Sequence, residues 1–168
     1  MAFAYFIGEE ALKQSSLLND NIDMKLLKPI IRKEQEMKIR PILGTDLYNQ
    51  SITQIDATSV SALNQTLLND YVQPCLTKYV MADCLPYLSY QFRNKGVMQR
   101  SSDNSVPVDL RTIQHLVDKL TNDAEYYAER ITKYLCANST DYPLFESGNN
   151  DEDDIQPNKS NYNTGMVL

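Results

Sequence analysis

Residues 108–137 read VDLRTIQHLVDKLTNDAEYYAERITKYLCA, and no other segment constrains the architecture as tightly. Leu110, Ile113, Val117, Leu120, Ala124, Tyr127, Ile131 and Tyr134 recur at alternating steps of three and four. That spacing lays them on one stripe of an amphipathic helix. About 30 helical residues reach about 45 Å at 1.5 Å per residue. Asp109 or Ser105 is placed to cap the start, with Pro107 near the first turn, where its missing N–H costs little. Asn138-Ser139-Thr140-Asp141 ends the pattern.

Upstream the period is again helical. A second region runs from Val60 to Phe92, with Val60, Leu63, Leu67 and Tyr71 on its first stripe. Tyr79, Val80, Cys84, Leu88 and Phe92 continue it. Pro74 is expected to kink or split this region, and Pro86 to disturb it again, because proline removes a hydrogen bond and clashes with the preceding turn. Asn94-Lys95-Gly96 reads as a stop and turn. A third helix covers Met24 to Arg40, capped by Asp23, with Leu27, Ile30, Ile31 and Met37 as its core face. Arg40-Pro41 is expected to end it, Leu43-Gly44-Thr45-Asp46 to turn the chain, and Thr45 to cap a short helix carrying Leu47, Tyr48 and Ile52. Glu9 to Gln14 adds one or two helical turns.

No stretch alternates as a half-buried strand does, and glycines number only five. The expected fold is therefore all-α: a helical bundle of three long and one or two short helices. Its length of 168 residues suits one core.

The formal net charge is −6, and it is unevenly placed. From Ser139 onward Asp141, Glu146, Asp151, Glu152, Asp153 and Asp154 face a single base, Lys159. That leaves the first 138 residues nearly neutral. The expected organisation is a helical domain over 1–138 and an acidic, extended C-terminal arm over 139–168. Acidity argues against a surface that grips nucleic acid throughout, since phosphate binding needs Lys and Arg density. Ala2–Ile7 is apolar but too short for a signal segment or a membrane span, so a soluble protein made in a cytoplasm is expected, with no membrane partner.

Signals for chemistry are sparse. Cys75, Cys84 and Cys136 are odd in number, form no C-x-x-C pair, and sit in apolar helical contexts. They read as small buried hydrophobes rather than a disulfide or zinc framework. His115 is the one histidine and lies off the main stripe, as a surface residue would. The glycines form no phosphate-cradling loop. Asp83, among apolar neighbours, reads as a solvent-facing or capping acid. Asn149 could open a calcium loop, but Asp154 stands where a glycine must turn the chain and Ser160 where a bidentate glutamate belongs. No catalytic residue, metal or cofactor is therefore expected, and no enzymatic reaction.

Two features point to assembly. Lys25, Lys28, Arg32 and Lys33 cluster on the Met24–Arg40 helix, a face suited to a DNA channel or a subunit contact, although Glu34 and Glu36 interleave. Tyr142, Leu144 and Phe145, then Tyr162, Met166, Val167 and Leu168, flank an acidic spacer. Apolar groups so placed read as partner-binding anchors on an arm.

The order of several motifs resembles a known family. Ile39-Arg40-Pro41-Ile42-Leu43-Gly44-Thr45-Asp46-Leu47-Tyr48 comes first, then Tyr71-Val72-Gln73-Pro74-Cys75-Leu76 and Asn94-Lys95-Gly96-Val97. Ala128-Glu129-Arg130-Ile131, Tyr134-Leu135 and Tyr142-Pro143-Leu144-Phe145 complete it. This series, over about residues 8 to 145, is similar to the small helical head–tail connector proteins of tailed bacteriophages, notably those infecting Bacteroidetes, including crAss-like phages. The resemblance implies a homo-oligomeric ring of about twelve copies. Such a ring sits beneath the portal protein in the virion neck, after assembly in the host cytoplasm. It extends the DNA channel, through which DNA slides without sequence-specific binding, and offers a platform to other neck and tail proteins. The rival readings are a more distal neck ring or head-completion protein, and, from another class, a small helical enzyme or nucleic-acid regulator.

Overall fold

The computed structural model describes residues 3–16, 22, 24–93, 96–99, 109–145 and 155–157. Helix α1 (Glu9–Ser15) is followed by α2 (Met24–Glu34), which runs without a break through a π-helical turn, Gln35–Ile39, into α3 (Arg40–Leu43). Helix α4 is Thr45–Asp56. Helix α5 (Ala62–Thr66) likewise continues through a π-helical turn, Leu67–Val72, into α6 (Gln73–Ser89). An antiparallel hairpin, β1 (Tyr90–Arg93) and β2 (Gly96–Gln99), leads on toward α7 (Leu110–Ala137). A 3₁₀ turn, Pro143–Phe145, follows. The fold is all-α with this one small hairpin among the described residues.

The two π turns explain why Pro41 and Pro74 do not break their helices. Each precedes a proline by two residues, Pro41 and Pro74. In a regular α-helix each proline ring would strike the carbonyl four residues back. Here the Arg40 N–H reaches back five residues to the Gln35 carbonyl, and the Gln73 N–H to the Leu68 carbonyl. The widened turn absorbs the proline, and the helix continues. The expected split at Pro74 and the expected stop at Arg40-Pro41 are thus both replaced by π turns.

The extra residue also rotates the downstream face. Met37, expected in the core, is 62% exposed, while Ile39 and Gln35 are fully buried. The core face therefore runs Leu27, Ile31, Gln35, Ile39, Leu43 and Leu47.

Helix α7 packs chiefly along α6, and α2 packs on α6 as well. Leu67, Val72, Leu76 and Val80 meet Ala124, Ile131 and Leu135 in one apolar core. Cys75 and Cys84 are buried there, and burial pushes their thiols up to about 12 and about 11, so both stay neutral and unreactive. Cys136 is half-buried and in no disulfide. Helix α6 stops at Ser89 rather than Phe92, where the chain enters the hairpin that the sequence did not announce.

The caps differ from expectation too. Ser61 caps α5, accepting from the Asn64 N–H at 3.3 Å, so the helix begins after Val60. Asp109 holds the cap position of α7 but makes no side-chain cap bond. Gly44, not Thr45, holds the cap position of α4. Asp23, Ser105 and Pro107 lie outside the described residues.

The apolar segment at the start of the chain is core. Ala4, Phe6 and Ile7 are buried. The Phe6 N–H donates to Gln35 Oε1 at 2.9 Å, and Gln35 Nε2 donates to the Ala4 carbonyl at 3.0 Å and to Tyr48 Oη at 3.3 Å. Gln73 Nε2 donates to the Phe6 carbonyl at 3.0 Å. Two glutamines thus satisfy backbone groups that lack a ladder partner, a requirement that buried polar groups impose.

Candidate interaction site

The expected arm divides into a part fixed to the body and a part beyond the description. Tyr142 and Phe145 are buried in the core, and Leu144 is half-buried against it. Tyr142 Oη donates to the Leu63 carbonyl at 2.8 Å, and its ring meets Tyr134 edge-on at 5.9 Å. Tyr134 in turn stacks on Tyr71 at 4.1 Å. Burial, then the hydrogen bond with Tyr134, raises the Tyr142 phenol well above its ordinary value, so it remains a donor. Tyr142 and Phe145 are therefore not free partner anchors, and the boundary expected between 138 and 139 moves beyond Phe145. The cause is the 3₁₀ turn, which folds back onto α4. Tyr162, Met166, Val167 and Leu168 lie outside the described residues.

A second contact returns the chain to the body. The Thr45 N–H donates to the Ile155 carbonyl at 3.0 Å, and the Ile155 N–H donates to Thr45 Oγ1 at 2.8 Å. Ile155 thereby satisfies the first N–H of α4, a group that a helix start leaves without an internal partner. Gly44 makes the approach feasible. Its φ of 78° and ψ of 158° are a conformation that only glycine adopts readily. A Cβ there would stand 2.9 Å from Pro157 Cδ. Leu43-Gly44-Thr45-Asp46 reads as a turn, but nothing in it signals a partner 110 residues away.

The basic face is exposed but partly neutralised. Lys25, Lys28, Arg32 and Lys33 all lie on the surface of α2. Arg32 pairs with Glu36 at 3.2 Å and lies over the Phe3 ring. Lys33 Nζ pairs with Asp83 at 2.7 Å and with Glu34 at 3.3 Å. Asp83 is thus a structural partner of Lys33. Lys33 is raised: burial lowers it, but the Asp83 bond and the two acids' charges outweigh that, so it stays charged.

Glu34 is buried, and burial, then the Asp83 charge, raises its carboxyl above the usual value of 4.5 despite Lys33 and Lys38. The folded state therefore favours protonated Glu34 more than the unfolded chain does. Its contribution to stability is greatest at low pH and falls as pH rises above 4.5. Glu34→Gln is expected to be the more stable form near neutrality, with its advantage over the parent growing as pH rises from 4.5. Denaturant melts of both proteins across pH check this; an advantage that shrinks with pH overturns it.

Two apolar surfaces are exposed among the described residues. At the start of α7, Leu110 on the stripe is 62% exposed and Leu116 beside it 42%, although Ile113 between them is buried. The first turns of the stripe, expected in the core, are therefore only partly covered. Between α2 and the end of α6, Leu26, Pro29, Ile30, Tyr87 and Leu88 line a groove of about 320 Å³, with Lys33 and Asp83 on its wall. His115 is exposed, and no group of three metal-ligating side chains occurs among the described residues. No helix among them is long and apolar enough to cross a membrane.

The described residues form an all-α bundle with a small hairpin, a segment at Ile155–Pro157 clasped to Gly44–Thr45, exposed apolar residues at the start of α7 and an apolar groove. The chain belongs to DUF6712, a family of unknown function whose model matches residues 39–155. That match spans both Gly44–Thr45 and Ile155. No curated protein and no solved structure matches the chain.

Proposed function

We propose that this chain is a structural subunit of a phage head–tail connector ring, docking under the portal and serving as the platform for neck and tail assembly. The order of motifs from Ile39 to Phe145, similar to that of connector proteins, supports the reading. The observation that carries it physically is the start of α7, where Leu110 on the stripe and Leu116 beside it are exposed. Apolar groups on a long helix are suited to burial against a neighbouring copy, and head-to-tail contacts that close by rotation make rings. A body near neutrality suits a channel in which DNA slides rather than sticks. The reading assigns no reaction to the protein.

Native mass measurement of the protein mixed with its portal tests this. A closed assembly on the order of twelve copies is expected. A strictly monomeric protein that ignores the portal overturns the reading.

A further inference from the structure

We propose that Ile155-Gln156-Pro157 is an exchangeable clasp, and that in the assembled ring it seats on the Gly44–Thr45 turn of the neighbouring copy. The inference rests on the ring reading and adds the residues that link one copy to the next.

Three observations carry it. The receptor is a shaped notch rather than a patch. Gly44, held at φ 78° with no Cβ, admits the Pro157 ring, and Thr45 offers one donor and one acceptor that Ile155 meets at 3.0 and 2.8 Å. An extended segment with proline two positions after the bonded residue fits that notch.

The clasp is also not buried with the core. Ile155 is 36% exposed and Pro157 only half-buried, so the seat lies at the surface and not in the core. An identical notch on a second copy restores the same bonds and covers the same surface. Exchange of identical elements between copies is a low-cost route to association for this reason.

The connection is long enough. Residues 146–154 separate the buried Phe145 from Ile155. Ten Cα–Cα steps span up to about 35 Å when extended. A chain of this length folds to a radius of gyration of about 15 Å, so the reach covers about the width of one copy. Within a ring the neighbour's notch stands at high effective concentration, which favours the exchanged seat without any new contact.

Cysteine pairing tests the proposal on the full chain. Thr45→Cys and Ile155→Cys are made separately in a Cys136→Ser background, mixed, assembled and oxidised. The expected result is a covalent dimer on a non-reducing denaturing gel in the mixture, and none from either variant alone. The double variant, Thr45→Cys with Ile155→Cys, reports on the seat itself. If it closes only within one copy while native mass shows a ring, exchange is overturned and the ring reading stands. If it closes in neither way, the clasp itself is refuted. If native mass shows monomers and the mixture gives no dimer, both proposals fall.

Discussion

Replacing Gln35 with alanine is expected to destabilise the fold by about 3–4 kcal/mol, near the upper end for a single substitution. The side chain is fully buried and bonds three groups, the Phe6 N–H and Ala4 carbonyl of the first segment and Tyr48 Oη of α4. Truncation leaves a buried donor and a buried acceptor without partners, at about 1–3 kcal/mol each, and adds a void. For a chain of this size the melting temperature should fall on the order of 10 °C. Gln35→Met keeps most of the volume and isolates the polar part of the loss. Hydrogen exchange adds a local readout, because the Phe6 amide should lose protection before the amides of α6 and α7. A loss below about 1 kcal/mol in the alanine variant would sink the assignment of Gln35 as the fastener of residues 3–7.

Gly44→Ala should cost about 2–4 kcal/mol, by two separable routes. The backbone strain of a non-glycine residue at φ 78° and ψ 158° accounts for about 1–3 kcal/mol. The remainder is the new methyl group, which would stand 2.9 Å from Pro157 Cδ and push the clasp off Thr45. Pro157→Ala removes the ring atoms that collide but leaves the strain. Combined with Gly44→Ala it should therefore recover part of the loss, whereas two independent effects would simply add. Strict additivity in that double-mutant cycle would show that Pro157 does not sit against Gly44.

Much of the architecture was legible from spacing. Three long helical regions and a short one carrying Leu47 and Tyr48 are present where three- and four-residue steps put them. The failures have local causes. Met37 was assigned to the core face, which it leaves because a π turn rotates the helix after Glu34, and nothing in Glu34-Gln35-Glu36 suggests the burial of Gln35. The usable sign was a proline with helical periodicity on both sides and no stop signal, at Pro41 and Pro74. The hairpin was missed because its two strands are only four residues each and follow directly from helix.

The arm was misjudged in part for a different reason. Tyr142-Pro143-Leu144-Phe145 is too short to show a period, so its apolar residues looked like anchors for a partner. Their partner is this chain's own core, a long-range relation that spacing does not encode. The same holds for Gly44: its turn was readable, its Pro157 neighbour was not.

The two glutamine fasteners and the clasp also set an order of events during synthesis. Phe6 is held through a residue 67 positions later, and Thr45 through one 110 positions later. Contacts of such high separation close last and slow the search for the native state. A ribosome must therefore release Gln73 before the Phe6 carbonyl finds its partner, and Ile155 before the first N–H of α4 finds its own. Everything between Thr45 and Ile155 must be made before the clasp can close, so the start of α4 waits on a segment 110 residues downstream.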